Sequence, residues 1–496
     1  MMADDDADRA GWAVLVAASS GALLCFLNLS ALNVALPAVA RSLHASPAQA
    51  SWILLSYMLV STVCILSFGR LADLWGRRRL FLAGLGLFVA ACAACAFAPT
   101  AELMLASRIC QAVGAAGVMA NASALVGDAF GRRRMGLALG VLAMVAALAQ
   151  VVGPLAGGFV VSWWGWRVLF MLYVPIGLGV LAWSWKILPR SAFVQAERFD
   201  LAGAALSFVG IGCVTYALSM AGTRGWTSTP VWTFMLAGLC AIALFSGVQR
   251  RVASPLVDPS LFGEPGRRTA YAAILLLSMT QAAPLLLVAL YLQACAGLQP
   301  SQAGLRIAPV AFGMLMAAPV AGILLRRFAA ESICVGGMLL AACALALLAA
   351  LLQPMIGAVQ LSLCLWMLGL GIGSFVTPNN ASILQSVVPQ RRGIANGVRS
   401  TLQNTGIMVG TALTLSVALA QLPSGSQRMI LGGSGAGLSN PDVAAFTQGA
   451  CSALILLAVL CLAGAALIAA SARRHGRGKT PVIAGGETAV RSGSAS

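Results

Sequence analysis

An all-α polytopic membrane protein, a bundle of about fourteen transmembrane helices, is the fold class that three observations on this sequence predict. The 496 residues are 60% hydrophobic and 9% charged, with a mean hydropathy of +0.90, outside the range of a chain solvated by water alone. Apolar runs of about 20 residues, the length that crosses a bilayer, recur along the whole chain. Basic clusters fall in alternate links between those runs, as the positive-inside rule requires.

The runs lie at 11–36, 50–69, 80–98, 103–127, 136–161, 168–188, 201–221, 230–248, 269–293, 303–325, 332–352, 356–378, 394–420 and 447–471. Lipid offers the backbone no hydrogen-bond partner, so each run must form its own helix, and the short links make consecutive helices neighbours. With the N-terminus inside, the inner links hold Arg77–Arg79, Arg132–Arg134, Lys186 with Arg190 and Arg198, Arg250–Arg251, Arg267–Arg268, Arg326–Arg327 and Arg391–Arg392. The outer links hold single residues: Arg41, Arg167, Arg224, Arg306 and Arg428. A miscounted span would reverse this alternation downstream, so a multi-pass protein of the plasma (inner) membrane with both termini cytoplasmic is expected.

Gly69-Arg-Leu-Ala-Asp-Leu-Trp-Gly-Arg-Arg after the second run has a degraded counterpart, Gly322-Ile-Leu-Leu-Arg-Arg-Phe, after the tenth. Such internal symmetry suggests two related halves around a midplane site. The expected division is an N-terminal tail over 1–10, a six-helix half over 11–188, an inserted helix pair with its links over 189–268, a second six-helix half over 269–471, and a basic, disordered tail over 472–496.

The net charge of +17 does not indicate a nucleic-acid partner, because the basic residues are short clusters between apolar runs and form no continuous patch. The 13 cysteines sit mostly inside those runs and read as small hydrophobes; even Cys92 and Cys95, a CxxC, read as helix packing. The start MMADDDADRAGW lacks the basic region and cleavage site of a signal peptide. An enzyme would need a nucleophile–base pair or metal ligands within the spans. Both histidines, His44 and His475, lie outside them, Ser434 in GGSGAG has no triad partner, and no P-loop occurs. No catalytic residue, cofactor or metal is expected.

Three motifs carry the argument further. In GRLADLWGRRR, Gly69 and Gly76 permit close backbone approach, Asp73 is an acceptor for helix N-termini or arginine, and Arg77 and Arg78 face the inner side, which together read as a charged latch, a gating motif. In LASRICQAVGAAG, Arg108 is a charge inside a span, at a cost of roughly 2.5–3.5 kcal/mol on insertion scales. It points into the bundle unless it snorkels to the outer interface. In Gly153-Pro154-Leu155-Ala156-Gly157-Gly158, Pro154 removes a helical hydrogen bond and Gly153 and Gly157 offer a small-residue face. Either a rocking interface or a static packing seam fits it. Gly393/Gly397 and Gly406/Gly410 read as packing pairs.

In this order, with WGWRVLFMLYVPIG (164–177), PLVDPSLF (255–262), YLQACAGLQPSQAGL (291–305) and RRGIANGV (391–398), these motifs resemble the major facilitator superfamily, most of all its fourteen-span drug:proton antiporter (multidrug efflux) branch. The resemblance spans nearly the whole chain. It implies an alternating-access transporter, monomeric, with Gly153, Pro154, Gly157 and Gly158 as the antiporter motif and Arg108 active in proton exchange or substrate binding. Its central helices imply a substrate and proton pathway through Asn28, Asn33, Arg108, Gln111, Asn121, Gln281, Tyr291 and Trp366. Gln403 and Asn404 join them as amides deep in an apolar run.

One departure matters. The branch carries an acidic residue in its first span where this chain has Asn28, in LNLSALNVALP, and no other carboxylate sits deep in a span. Asp73 and Asp128 lie at inner helix ends and Glu102 at an outer end. Proton coupling would then use Glu102, Asp128 or the substrate itself, and a cationic drug would find no buried countercharge. The expected function is export of small amphipathic compounds, drugs or secondary metabolites, with protons as the coupling ion. The alternative is uncoupled or facilitated transport of a small neutral or anionic solute. The implied partners are a small-molecule substrate, protons and the lipid bilayer.

Overall fold

The structure, a computed structural model, describes residues 2–130, 132–189, 200–252, 255–325, 327–352, 356–387, 392–433 and 438–476. Ser434, the tail beyond 476 and the side chains of Asp73, Arg132–Arg134, Arg190, Arg198, Arg326 and Arg391–Arg392 lie outside the described residues. The described residues form helices and no strand.

In chain order the helices are α1 (Met2–Ser42), α2 (Pro47–Trp75), α3 (Arg77–Ala96), α4 (Ala101–Ala129), α5 (Arg132–Trp164), α6 (Trp166–Ile187), α7 (Leu201–Arg224) and α8 (Thr229–Gln249). They continue as α9 (Pro265–Ser278), α10 (Ala283–Ala294), α11 (Pro300–Ile307), α12 (Pro309–Leu324), α13 (Ala330–Leu351), α14 (Ala358–Gln385), α15 (Arg392–Leu419), α16 (Ser424–Leu431) and α17 (Asn440–Gly476). Among the described residues, 13 helices are long and apolar enough to cross a membrane. The remaining expected span, 136–161, falls within α5, whose described apolar stretch is Val152–Trp164. Two ends differ from the apolar runs: α1 begins at Met2 and α17 extends over Asn440–Gly476. Helical backbone continues past the apolar region because polar residues at a membrane surface lose nothing by staying helical.

Local chemistry explains the helix ends. Ser46 and Gln49 form a reciprocal cap on α2, with Gln49 N donating to Ser46 Oγ at 3.2 Å and Ser46 N to Gln49 Oε1 at 2.8 Å. Thr100 caps α4 and Asp200 caps α7, the latter also accepting from Gln249 Nε2 at 2.6 Å and so tying α7 to the end of α8. Between α2 and α3 the chain turns on Gly76 at φ +88°, a region side chains avoid at a cost of about 1–3 kcal/mol. Gly76→Ala is therefore expected to lower stability by about that much, visible as an earlier thermal unfolding midpoint in detergent; an unchanged midpoint would mean the turn relaxes freely.

Two spans are discontinuous. The ninth breaks between α9 and α10 at 279–282, where Pro284 has no N–H for the carbonyl of Thr280 and its ring crowds that carbonyl. The tenth is jointed at Ala308, before Pro309. Broken helices inside a membrane are tolerated where protein or a cavity surrounds them, and the ninth span is well enclosed, with 83% of its most apolar stretch buried against 17% for α8.

Helices α1 to α6 pack on one another, as do α9 to α17. Lipid supplies no hydrophobic force between helices, so close approach of small residues does the joining. A Cβ on Gly114 would strike the Phe88 backbone, and a Cβ on Gly371 would lie 2.6 Å from Ala341 N, which brings α4 onto α3 and α14 onto α13. Helices α7 and α8 pair, and α7 lies against both α2 and α15.

The two groups meet mainly toward one end. Ser301 N donates to Ser162 Oγ at 2.9 Å, Gln293 Nε2 donates to Val34 O at 3.2 Å, and Leu55, Met58 and Leu59 of α2 pack with Met408 and Ala412 of α15. These contacts belong to the end whose links carry single arginines. Toward the Arg-rich end, a Cβ on Gly69, Gly322 or Gly397 would meet nothing within 4 Å among the described residues. The packing role expected of Gly397 is thus not what this conformation uses, whereas Gly406 and Gly410 do press on Leu275 and Met279.

Candidate functional site

Arg108 lies two turns into α4 and is 0% exposed; it points into the bundle and does not snorkel. Gln111, one helical turn on, shares its face and accepts from Arg108 Nη1. Asn28 of α1 presents Oδ1 to the same nitrogen at 2.7 Å. From α2, the Ile53 carbonyl accepts from Nε at 3.2 Å, and Tyr57, four residues later on the same face, places its ring 4.2 Å from the guanidinium carbon. Gln111 Nε2 in turn donates to Cys92 Sγ of α3 at 2.9 Å, so one half of the CxxC read as packing also accepts a hydrogen bond. Four helices therefore meet in one cluster, with Arg108 at its centre and α3 reached through Gln111.

Hydrogen bonds to a charged group contribute about 1.5–3 kcal/mol each and a desolvated cation–π contact about 2 kcal/mol or more, which together offset the cost of enclosing Arg108. Every acceptor is neutral, however. The cluster keeps its net positive charge, and Nη2 has no hydrogen-bond partner among the described residues.

The other expected residues divide. Asn33 of α1 is 6% exposed with Oδ1 unpartnered, and Asn121 of α4 donates to its own helix at Gly117 O, 2.7 Å away, leaving Oδ1 unpartnered. Neither bonds to Arg108. Gln281 sits in the break between α9 and α10, buried, and accepts from Gln403 Nε2 at 3.2 Å. Tyr291 is buried in α10; Trp366 of α14 and Asn404 of α15 are half-buried. A second polar cluster thus forms on α15 and the α9–α10 break, around a residue that sequence reasoning passed over: Arg399, which donates to Gln403 Oε1 at 2.8 Å. The signal was available, since Arg399 lies inside the run 394–420 as Arg108 lies inside 103–127. Tyr57 and Cys92 carried no such signal.

At the Arg-rich end, two arginines of the GRLADLWGRRR segment tie helices together. Arg77 Nη1 donates to both oxygens of Asp128, each at 2.6 Å, and Arg78 Nη2 donates to Trp185 O at 2.6 Å with its guanidinium 5.7 Å from the Trp185 ring. The start of α3 is thereby tied to the ends of α4 and α6. The Arg77–Asp128 pair is 32% and 57% exposed, so its stabilisation is no more than about 1 kcal/mol.

The GPLAGG run of α5 serves two surfaces. Gly153 and Gly157 accept Ser30 and Ala31 of α1, whose Ser30 Oγ also donates to Ala149 O at 2.8 Å; this is a packing seam within α1 to α6. Gly158 meets Pro300 and Ser301, and the Pro154 carbonyl lies against Gly304, so these two residues sit on the contact with α11.

Two groups of membrane helices that meet mainly at one end over buried polar and charged side chains are an arrangement suited to carrying a solute across a membrane. The chain belongs to the Major Facilitator Superfamily, whose family model matches residues 18–411. It is 32% identical over 411 residues to the multidrug resistance protein Stp of Mycobacterium tuberculosis (strain CDC 1551 / Oshkosh), covering 82% of this chain and 76% of that protein. It is 28% identical to the tetracenomycin C resistance and export protein of Streptomyces glaucescens, with coverage of 82% and 76%. The solved structure of the POT family transporter PepTSo superposes with a TM-score of 0.68 at 13% identity, covering 95% of this chain and 99% of that one, a likeness of fold. The protein is therefore a multi-pass membrane transporter with multidrug- and antibiotic-resistance relatives.

Proposed function

We propose that the protein exports small amphipathic compounds by alternating access of the two helix groups, with α7 and α8 as an inserted pair. The Arg-rich end and both termini are cytoplasmic in this reading, so the conformation described above is the inward-facing one. The observation that carries it is Arg108: a fully buried cation held by neutral acceptors with one nitrogen unpartnered. Such a group favours neutral, zwitterionic or anionic substrates and disfavours quaternary ammonium ions.

The proton gradient is the proposed drive, each charge crossing gaining about 2.3 kcal/mol per 100 mV. Asn28 supports a second reading, uncoupled transport, because Arg108 bonds there to an amide that exchanges no proton. Glu102 and Asp128, two acids at span ends, are exposed and bonded to Gln49 and Arg77.

Efflux of neutral, anionic and cationic fluorescent compounds from cells expressing the protein, with and without a protonophore, separates these readings. Extrusion of neutral or anionic members that collapses with the protonophore is the expected result. Flux that persists and follows only the substrate gradient would establish the uncoupled reading, and export of quaternary ammonium compounds would overturn the charge argument.

A further inference from the structure

Arg399 lies seven residues into α15 from its start at Arg392, about 10 Å along the helix. It is half-buried and two residues from Gly397, whose Cβ position has nothing within 4 Å among the described residues. Its Nε donates to Asn396 Oδ1 at 3.1 Å, Nη1 to Gln403 Oε1 at 2.8 Å and Nη2 to Ser400 Oγ at 3.2 Å. Gln403 continues the chain to Gln281 at the break of the ninth span. The face is defined by packing, since Gly406 and Gly410, further along α15, press on Leu275 and Met279 beside that break. Tyr271 faces it from α9, its hydroxyl donating to Ala395 O at 3.2 Å.

Every acceptor of Arg399 is neutral; Arg267 on α9 is matched to Glu264 at the helix end, 3.4 Å away. A glutamine would join α15 to the break equally well without placing a charge in a span, which is costly. The terminal nitrogens each carry a second N–H beyond the bonds above, the paired donors that match a carboxylate or sulfonate.

We propose that Arg399, backed by Gln403 and Gln281, binds the anionic group of an amphipathic organic acid entering from the Arg-rich end. This rests on the export reading and assigns its substrate class. The charge is held in place by amides before substrate arrives, so binding replaces water at the guanidinium instead of breaking an ion pair.

Binding of dansyl-phenylalanine and of its uncharged carboxamide to the full-length protein in detergent, read by fluorescence anisotropy, tests it. The wild type should prefer the carboxylate by about tenfold or more, the gain of one charge-assisted contact. Arg399→Gln should remove the preference. If that variant binds neither probe, Gln403→Glu decides, because it places a carboxylate on Nη1 without removing the arginine: loss of the preference supports the site and its retention overturns it. Equal wild-type affinities, no binding of either probe by the wild type, or a preference unchanged in Arg399→Gln, would overturn the proposal. Energised efflux of the carboxamide from cells without any carboxylate preference would leave export standing and remove the site; a preference in binding without efflux of either probe would do the reverse.

Discussion

Arg108→Ala is expected to reduce efflux at least about tenfold, the loss of one or more charge-assisted bonds. The side chain bonds to α1, α2 and its own helix, and Gln111 extends the cluster to α3. Truncation leaves the Asn28 carbonyl oxygen and the Tyr57 ring face without their cation, so a lower thermal midpoint in detergent should accompany the loss of transport. Arg108→Lys should not restore activity, because a single ammonium cannot present donors to Asn28, Gln111 and the Ile53 carbonyl together. Asn28→Asp makes the complementary test. A carboxylate at the position that now lies 2.7 Å from Nη1 would neutralise the cluster and restore the acidic group found in the drug-antiporter branch. Protonophore-sensitive export of ethidium, absent in the wild type, is the expected gain. Wild-type efflux by Arg108→Ala would remove the residue from the transport pathway.

Gly304→Val should hold the single-arginine end open. A Cβ there would run into the Pro154 carbonyl, and overpacking of this kind costs about 1–3 kcal/mol. Because the penalty applies only to the closed contact between α5 and α11, it shifts the conformational equilibrium by about fivefold to above a hundredfold. Ser162→Cys, placed where Ser162 now accepts from Ser301 N, should be labelled faster by a membrane-impermeant maleimide from outside the cell, and transport should fall. Gly69→Val should act in the opposite direction. Nothing lies within 4 Å of its Cβ position here, so the substitution is tolerated in this conformation and penalised when the Arg-rich end closes. Opposite shifts in labelling cannot come from general destabilisation. No change with Gly69→Val would place that glycine against lipid.

Thirteen of the spans were readable because the bilayer imposes a length and a composition on each of them, although α1 and α17 run on beyond the expected ends. Arg108 was readable for the same reason, a charge interrupting an apolar run, and that rule applied evenly would have singled out Arg399 as well. The break in the ninth span has a local cause in Pro284, although the run 269–293 looked continuous because hydropathy is blind to a missing N–H. The split role of the GPLAGG run was not readable. Gly153 and Gly157 face α1, and Gly158 and Pro154 face α11, and only the placement of those helices separates the two.

By itself the sequence determined the environment, the helical class, the family and the presence of an uncompensated charge in the fourth span, because each follows from properties of a single segment. Tertiary structure alone decided which neutral groups surround Arg108, that Arg399 is joined through Gln403 to the break at Gln281, and which end of the bundle is closed. Those depend on contacts between helices far apart in the chain. In lipid such contacts are selected by close packing of small residues and by the need to satisfy each buried polar group, and neither leaves a periodic trace in one helix.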